Sequence, residues 1–304
     1  MHVPIGGECN NYCLFCMEAE RASGARAAMG MTAAGGRERL AAQRGVEVVG
    51  FTWGEPTMRP ELGLLVRWAR ESGCARVSLM TNGRRLAYAP YLASLVDAGL
   101  RRVYVSIHGD HRALHEGLTR APGSFEQTVA GLRNVAKLVS GGMELHTTTV
   151  LTTRRRGGGG ARGAQSPPRG GGQAVFTAMQ LAPRPEGGVS GLMPRYREIR
   201  EAFARMIAAM PGARGSTFLV DVPLCMTEGL DDATRGFVER RVHYEADRSV
   251  QGGEAIDAVS TGDLDRAFRV HGPQCARCGY VAQCPGVYRA YVEAWGWEEI
   301  EPVR

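Results

Sequence analysis

Short apolar segments alternate with helical patterns along the first two thirds of the chain. Strands are predicted over 2–5, 46–51, 76–80, 103–107, 145–151 and 174–180. Helices are predicted after four of these strands, over 60–71, 88–97, 124–139 and 195–210, the third with Ser124 as its N-cap. Repeated strand–helix alternation indicates an α/β fold of parallel strands joined by right-handed crossovers. Ligands of such folds bind at the carboxyl ends of the strands, so functional residues are expected there.

A stretch rich in glycine and arginine interrupts this alternation. Residues 154–172 contain runs of glycine and two prolines, a composition that disfavours a helix. We therefore predict a low-complexity, disordered loop over 153–173, where the alternation calls for a covering helix. Because parallel sheets normally have both faces covered, the stretch is interpreted as a lid, an insertion or a sequence defect.

The composition is that of an ordinary globular protein. Of 304 residues, 44% are hydrophobic and 22% are charged, and no apolar run reaches the length of about 18 that a membrane span needs. With neither a span nor a signal peptide in sight, we expect a cytoplasmic protein without a membrane partner. The net charge of +6 is almost wholly arginine, since Lys137 is the only lysine. No basic stripe interleaved with aromatics is present, which argues against nucleic-acid binding and leaves an anionic substrate open.

Three cysteines follow the first predicted strand. Cys9, Cys13 and Cys16 are separated by three and then two residues. Three thiolates on one loop are able to bind three irons of a cubane cluster, which leaves the fourth iron open to a small molecule. The alternative is a zinc knuckle formed by Cys13 and Cys16, although no second cysteine pair lies nearby.

This spacing, with the aromatic Phe15 before the third cysteine, resembles the signature of the radical S-adenosylmethionine (radical SAM) superfamily. The resemblance implies a partial (β/α)6 TIM-like barrel. It also implies that Cys9, Cys13 and Cys16 bind a catalytic [4Fe–4S] cluster whose open iron is chelated by S-adenosylmethionine. An external reductant such as flavodoxin or ferredoxin would supply an electron. Cleavage of the cofactor would then yield a 5′-deoxyadenosyl radical that abstracts a hydrogen atom from the substrate.

Three strand-end segments extend the resemblance. The second strand ends in Gly-Glu-Pro, with Trp53 where the family has a first glycine, the third in Thr-Asn-Gly, and the fourth in Ser-Ile-His-Gly. His108 in the last segment is a candidate for facing the substrate, whereas His111 and His115 are interpreted as part of a solvated loop. The residues that the resemblance implies as S-adenosylmethionine contacts are Phe15, Gly54, Glu55, Pro56, Asn82 and Ser106.

A second group of cysteines lies in the last third of the chain. Cys275, Cys278 and Cys284 have spacings of two and five residues, and Cys225 is the obvious fourth thiol. The group resembles the auxiliary domains of the SPASM and twitch types. The expected domains are therefore a core barrel over 1–212 and an auxiliary iron–sulfur domain over 213–304. Four thiolates satisfy a closed [4Fe–4S] cluster, but a structural zinc site stays open as an alternative.

The implied function is hydrogen abstraction, with the later chemistry left open. By analogy with enzymes that carry such tails, a peptide or protein is the leading substrate class, ahead of a small molecule. Two other classes stay in consideration, an iron–sulfur electron carrier or sensor and a degenerate, inactive homologue. Cys74, outside both groups, is expected to be a free buried cysteine.

Overall fold

The structure, a computed structural model, describes residues 2–5, 8–16, 48–153, 172–180, 190–230 and 268–304. Seven strands form one sheet in which strand order follows chain order and every neighbouring pair is parallel. Each connection therefore advances by one position, as in a barrel wall. The strands are β1 (His2–Pro4), β2 (Val48–Thr52), β3 (Arg76–Thr81), β4 (Leu100–Ser106), β5 (Glu144–Leu151), β6 (Ala174–Ala178) and β7 (Thr217–Val220).

Helices cover this sheet, and a small hairpin follows it. A two-stranded antiparallel sheet is formed by β8 (Arg269–Val270) and β9 (Val287–Tyr288). The helices of the described ranges are α1 (Leu62–Glu71), α2 (Ala89–Ala98), α3 (Arg112–Thr119), α4 (Ser124–Ala136), α5 (Tyr196–Ala209) and α6 (Arg289–Trp295). None of them is long and apolar enough to cross a membrane.

The predicted α/β class and partial barrel are confirmed, since β1 to β6 correspond to the six predicted strands. No strand was predicted after 174–180, but Thr217–Val220 adds a seventh parallel strand beside β6. This strand is only four residues long and buried throughout, so no alternation of apolar and polar residues announces it. Most of the glycine-rich stretch 154–172 lies outside the described residues.

Two further local predictions were wrong. Arg112–Thr119 is a helix and not a solvated loop, and its inner face buries His115 completely. Ser124 is the first helical residue of α4, and the N-cap is Gly123 in a left-handed conformation. The Ser124 hydroxyl is hydrogen-bonded to the hydroxyl of Thr119, the last residue of α3, at 2.9 Å. It therefore does not cap α4 as predicted.

The core falls into two clusters, and the cysteine loop belongs to the second. The first packs α1 and α2 against β2, β3 and β4, with Phe51 and Leu79 fully enclosed. The second joins β6, β7, α5 and α6 and includes Phe15 from the N-terminal cysteine loop and Tyr291 from α6. The N-terminal cysteine loop therefore shares a core cluster with the C-terminal helix α6.

Candidate active site

The loop that carries Cys9, Cys13 and Cys16 is fastened at the carboxyl ends of the strands. The amide of Glu55 donates a hydrogen bond to the carbonyl of Glu8, at the start of the loop, over 2.8 Å. The amides of Tyr12 and Leu14 donate to the last carbonyls of α3, over 2.8 and 3.0 Å. Carbonyls at a helix end have no partner within the helix, so α3 satisfies them by holding the loop.

The three thiols of this loop are half-buried and close enough to influence one another. Burial raises the pKa of the Cys13 thiol strongly, and the neighbouring Cys16 and Cys9 raise it further. Thiolates gathered in this way repel one another until a cation compensates them. Soft thiolate donors on one loop fit a [4Fe–4S] cluster.

Asn82, at the end of β3, is joined to the same loop. Its Nδ2 donates to Oδ1 of Asn10 over 2.6 Å and approaches Sγ of Cys9 at 4.0 Å. The amide of Asn11 also donates to Sγ of Cys9, over 3.4 Å. Two N–H groups thus point toward the thiol of Cys9. Hydrogen bonds to cluster sulfurs are among the features that set the reduction potential.

Arg84 completes this network from the following turn. Its Nη1 donates to the Asn10 carbonyl and, over 3.0 Å, to Oδ1 of Asn11, while Nε donates to Oε1 of Gln127 over 2.6 Å. These residues were missed by the sequence reasoning. The available signal was an arginine directly after the Asn-Gly turn, at a strand end where ligand loops are expected.

Glu55 connects the ends of β2 and β3. Its Oε1 accepts from the amide and hydroxyl of Thr57 and from the hydroxyl of Thr81, and Oε2 accepts from the amide of Asn82 over 2.6 Å. Burial raises the pKa of Glu55, against the effect of these hydrogen bonds, which lower it. Pro56 begins the short turn that follows. The carboxylate predicted to meet the cofactor is thus engaged in bracing the strand ends that surround the cysteine loop.

The backbone before Glu55 is left-handed at two successive positions. Trp53 has φ of 76° and Gly54 has φ of 58°. A bulky residue at positive φ is strained, whereas glycine is not. The family resemblance leads us to expect glycine at position 53, where this chain has Trp53. The positive φ at this position explains why glycine would fit there.

Phe15 is buried under a pair of histidine rings. Its ring meets His108 edge-on with centroids 4.6 Å apart, and the rings of His108 and His115 are stacked at 6.0 Å. Nδ1 of His108 accepts from the amide of Val150 over 3.4 Å, and the His108 amide donates to Nδ1 of His115 over 3.3 Å. With only 6% of its surface exposed, His108 supports Phe15 in this structure.

Ser106 ends β4 at the same edge of the sheet. Its hydroxyl is 3.0 Å from the hydroxyl of Thr148 on β5, and the residue is half-buried. The predicted contacts Phe15, Gly54, Glu55, Pro56, Asn82 and Ser106 therefore all lie at the carboxyl ends of β1 to β4 or in the loops that leave them.

The second cysteine group also converges. Burial raises the pKa of Cys225 to about 12, and Cys284, Cys278 and Cys275 raise it as well. Yet within the described ranges no three His, Cys, Asp or Glu side chains are gathered as donors around one metal ion. Thiols that share one ion lie about 4 Å apart, whereas charges interact over longer distances. The four thiols are therefore neighbours that do not surround one metal position, and the same holds for Cys9, Cys13 and Cys16.

The fold and the cysteine loop define a class, that of α/β partial barrels with a three-thiol loop at the carboxyl ends of their strands. Residues 3–153 match the family model of the Radical SAM superfamily. This part of the chain is a radical SAM domain. A curated relative, the "Probable GTP 3′,8-cyclase" of Metallosphaera sedula, is 34% identical over 134 residues, which are 44% of this chain and 41% of the relative. The chain thus spans about two fifths of the length of that relative.

Solved structures extend the likeness of fold beyond this domain. Native anSMEcpe with bound AdoMet has a TM-score of 0.63 at 15% identity, with 98% of this chain and 96% of that chain covered. The same protein with bound AdoMet and Cp18Cys peptide has a TM-score of 0.59 at 16% identity, with 95% and 88% covered. At such identities the likeness shows a shared fold.

The family assignment supplies the cofactors. Radical SAM proteins use a [4Fe–4S] cluster and S-adenosylmethionine, so the prediction of these two cofactors is confirmed, while the auxiliary cluster stays a prediction. Enzymes of the family need a reductant and a substrate.

Proposed function

We propose that this protein is a radical SAM enzyme that modifies a peptide or protein substrate. Cys9, Cys13 and Cys16 hold the catalytic cluster, and an external one-electron donor such as flavodoxin or ferredoxin reduces it in the cytoplasm. When bound, the cluster and S-adenosylmethionine supply a 5′-deoxyadenosyl radical that takes one hydrogen atom from the substrate, leaving 5′-deoxyadenosine, methionine and a substrate radical.

One observation carries this proposal, the joining of the cysteine loop to two strand ends. The Glu55 amide donates to the Glu8 carbonyl, and the Glu55 carboxylate accepts from the Asn82 amide. The Asn82 side chain in turn donates to the side chain of Asn10. A simple electron carrier has no use for strand-end residues arranged around its cluster ligands, whereas a cofactor that must meet an open iron requires them.

The chain's own residues then have distinct tasks in the proposed reaction. Gly54, Glu55 and Pro56 present the end of β2 to the methionine part of the cofactor, since backbone carbonyls there suit an ammonium group. Ser106 offers its half-exposed hydroxyl to the ribose. Phe15, buried against His108, keeps the cluster side of the site free of water.

The second cysteine group is proposed to hold an auxiliary [4Fe–4S] cluster within a domain over 213–304. Support comes from the mutual influence of Cys225, Cys275, Cys278 and Cys284. Four protein thiolates leave no iron open, so the proposed role is electron transfer or fixing the domain. Zinc in place of the cluster is distinguished by metal analysis of anaerobically purified protein.

The peptide substrate is supported by the extent of the fold likeness. The match to a curated cyclase covers 44% of this chain and 41% of the cyclase, whereas the likeness to anSMEcpe, which was solved with a bound peptide, covers nearly all of both chains. A small-molecule substrate is the alternative outcome of substrate screening.

The test is anaerobic reconstitution with iron and sulfide, followed by incubation with S-adenosylmethionine and dithionite. We expect slow release of 5′-deoxyadenosine that disappears in Cys13→Ala. The matched control is Cys74→Ala, which removes a buried free thiol outside both groups and is expected to keep the activity. A reducible cluster without product would identify an electron carrier, and failure to retain iron would identify a degenerate homologue. Either result overturns the proposal.

A further inference from the structure

A buried ion pair lies between the last barrel strand and the C-terminal hairpin. Nη2 of Arg269 donates to Oδ1 of Asp221 over 2.8 Å, and the two side chains are only 1% and 3% exposed. The hydroxyl of Tyr288 donates to the same Oδ1 over 3.0 Å and accepts from Nη2 of Arg269 over 2.6 Å. The guanidinium also lies 3.8 Å above the Tyr288 ring. We call these three residues the Arg269 cluster.

Each member of the Arg269 cluster belongs to a segment that carries a cysteine of the second group. Asp221 directly follows β7, four residues before Cys225. Arg269 lies on β8, six residues before Cys275, and Tyr288 lies on β9, four residues after Cys284. The cluster is therefore where the barrel segment bearing one thiol meets the hairpin that flanks the other three.

Further contacts lead from this cluster to the thiols. Nη1 of Arg269 donates to the carbonyl of Gly286 over 3.3 Å, and Nε2 of His271 is 3.1 Å from the carbonyl of Cys284. The side chains of Tyr288 and Cys225 also pack in the same apolar cluster. The Arg269 cluster thus bonds to the hairpin two residues from Cys284 and shares an apolar cluster with Cys225.

The energy of the ion pair does not explain its presence. Removing two charges from water carries a large desolvation cost, and apolar pairs of similar volume are often no less stable. Asp221 is in addition held at φ of 65°, a left-handed conformation that few residues other than glycine, asparagine and aspartate adopt. What the pair supplies, and apolar packing does not, is a fixed direction and distance between β7 and the hairpin.

We infer that the Arg269 cluster is a positioning unit that sets Cys225 against Cys275, Cys278 and Cys284, so that the four thiols bind their metal group. The inference rests on the proposed four-thiol site. It assigns a role to buried charges that take no part in the proposed chemistry at Cys9, Cys13 and Cys16.

The test uses the full chain with Cys13→Ala, so that bound metal reports on the second site. Asp221→Asn, Arg269→Met and the double variant are added to this background, asparagine being chosen because it tolerates the left-handed backbone at position 221. Iron, sulfide and zinc per chain are measured before and after exposure to a chelator, and thermal unfolding is followed in parallel. Arg102→Met is the matched control, because it breaks an ion pair with Glu144 on β4 and β5 instead.

Each single variant leaves one charge buried without its partner, so both unfolding temperature and metal retention should fall. In the double variant we expect the unfolding temperature to recover while metal retention stays about 10- to 100-fold weaker, as for other residues that orient metal ligands. Recovery of metal retention together with stability would overturn the inference, since the pair would then only stabilise the fold. A Cys13→Ala background without any iron or zinc would instead overturn the four-thiol site itself, and the inference with it.

Discussion

Asn82 donates a hydrogen bond from its side-chain amide to Oδ1 of Asn10 over 2.6 Å, so the end of β3 is joined directly to the cysteine loop. The two residues are 72 positions apart in the chain. The carbonyl oxygen of the same side chain accepts from the amide of Arg84 over 3.0 Å, and Nδ2 also approaches Cys9. The side chain is therefore oriented at both ends, which makes it suited to holding a cluster ligand.

Asn82→Asp should weaken the catalytic cluster. The carboxylate keeps the shape of the amide but puts a negative oxygen against Oδ1 of Asn10 and near Sγ of Cys9. We expect the free energy of unfolding to fall by about 1–3 kcal/mol and the reduction potential of the reconstituted cluster to become more negative. Iron analysis and a redox titration followed by electron paramagnetic resonance measure both effects.

Asn134→Asp is the control for this change. Its amide donates to the carbonyls of Leu86 and Ala87, over 3.1 and 2.9 Å, so the same substitution breaks comparable bonds away from the cysteine loop. A similar loss of stability with an unchanged potential is expected there. If Asn82→Asp also left the potential unchanged, the contact with Cys9 would have no electrostatic effect on the cluster.

The features of this site that depend on adjacent residues were predictable from the sequence, and those that join distant segments were not. The cysteine spacing and the strand-end segments are local, and each was identified from adjacent residues. The bonds of Asn82 to Asn10 and of Glu55 to Asn82 join segments tens of residues apart, and nothing in either segment alone specifies its partner. The sequence therefore predicted which loops meet but not which side chains join them.

His115 shows the same limit for burial. His111 and His115 showed no third-ligand signature of a metal site, so their segment was interpreted as a solvated loop. In the structure the segment is a helix whose inner face lies against Phe125 and His108. That environment depends on α4 and the end of β4, which the local pattern does not contain. For Trp53, in contrast, the resemblance identified an unusual residue, and the positive φ explains why it is unusual.

Gly131→Ala should destabilise the barrel although alanine is the better helix former. A Cβ at Gly131 in α4 would overlap the carbonyl oxygen of Gly83, in the turn that follows Asn82. We expect a loss of about 1–3 kcal/mol in the free energy of unfolding. Gly63→Ala in α1 is the matched control, because nothing lies within 4 Å of its Cβ, and a gain of up to about 1 kcal/mol is expected. Urea unfolding measures both, and equal effects would contradict the close approach of α4.

Replacement of Trp53 should separate backbone strain from side-chain packing. Alanine and glycine both remove the indole, but only glycine adopts φ of 76° without strain. We therefore expect Trp53→Gly to be more stable than Trp53→Ala by about 1 kcal/mol, measured by urea unfolding of the two variants side by side. Equal stability would mean that the left-handed backbone here carries no cost.

Acid should destabilise the fold through two buried histidines. Burial lowers the pKa of His115 to about 4 and that of His146 to about 4, from an ordinary value of 6.5. Between these values the unfolded chain binds protons that the folded chain does not. The stability from keeping each ring neutral is therefore complete above pH 6.5 and is lost as pH falls toward 4, by about 3 kcal/mol per histidine at the acid limit.

His115→Asn tests this dependence. Asparagine retains an acceptor for the His108 amide, which in the native protein donates to Nδ1 of His115, but it does not titrate. We expect lower stability at pH 7.5, because the histidine ring no longer packs on Phe125. Between pH 6.5 and 4 the free energy of unfolding should fall less steeply than in the native chain. His146 should account for most of the pH dependence that remains. Urea unfolding of the metal-free protein at several pH values measures the slope. A variant as sensitive to acid as the native chain would show that His115 is protonated without disrupting the fold.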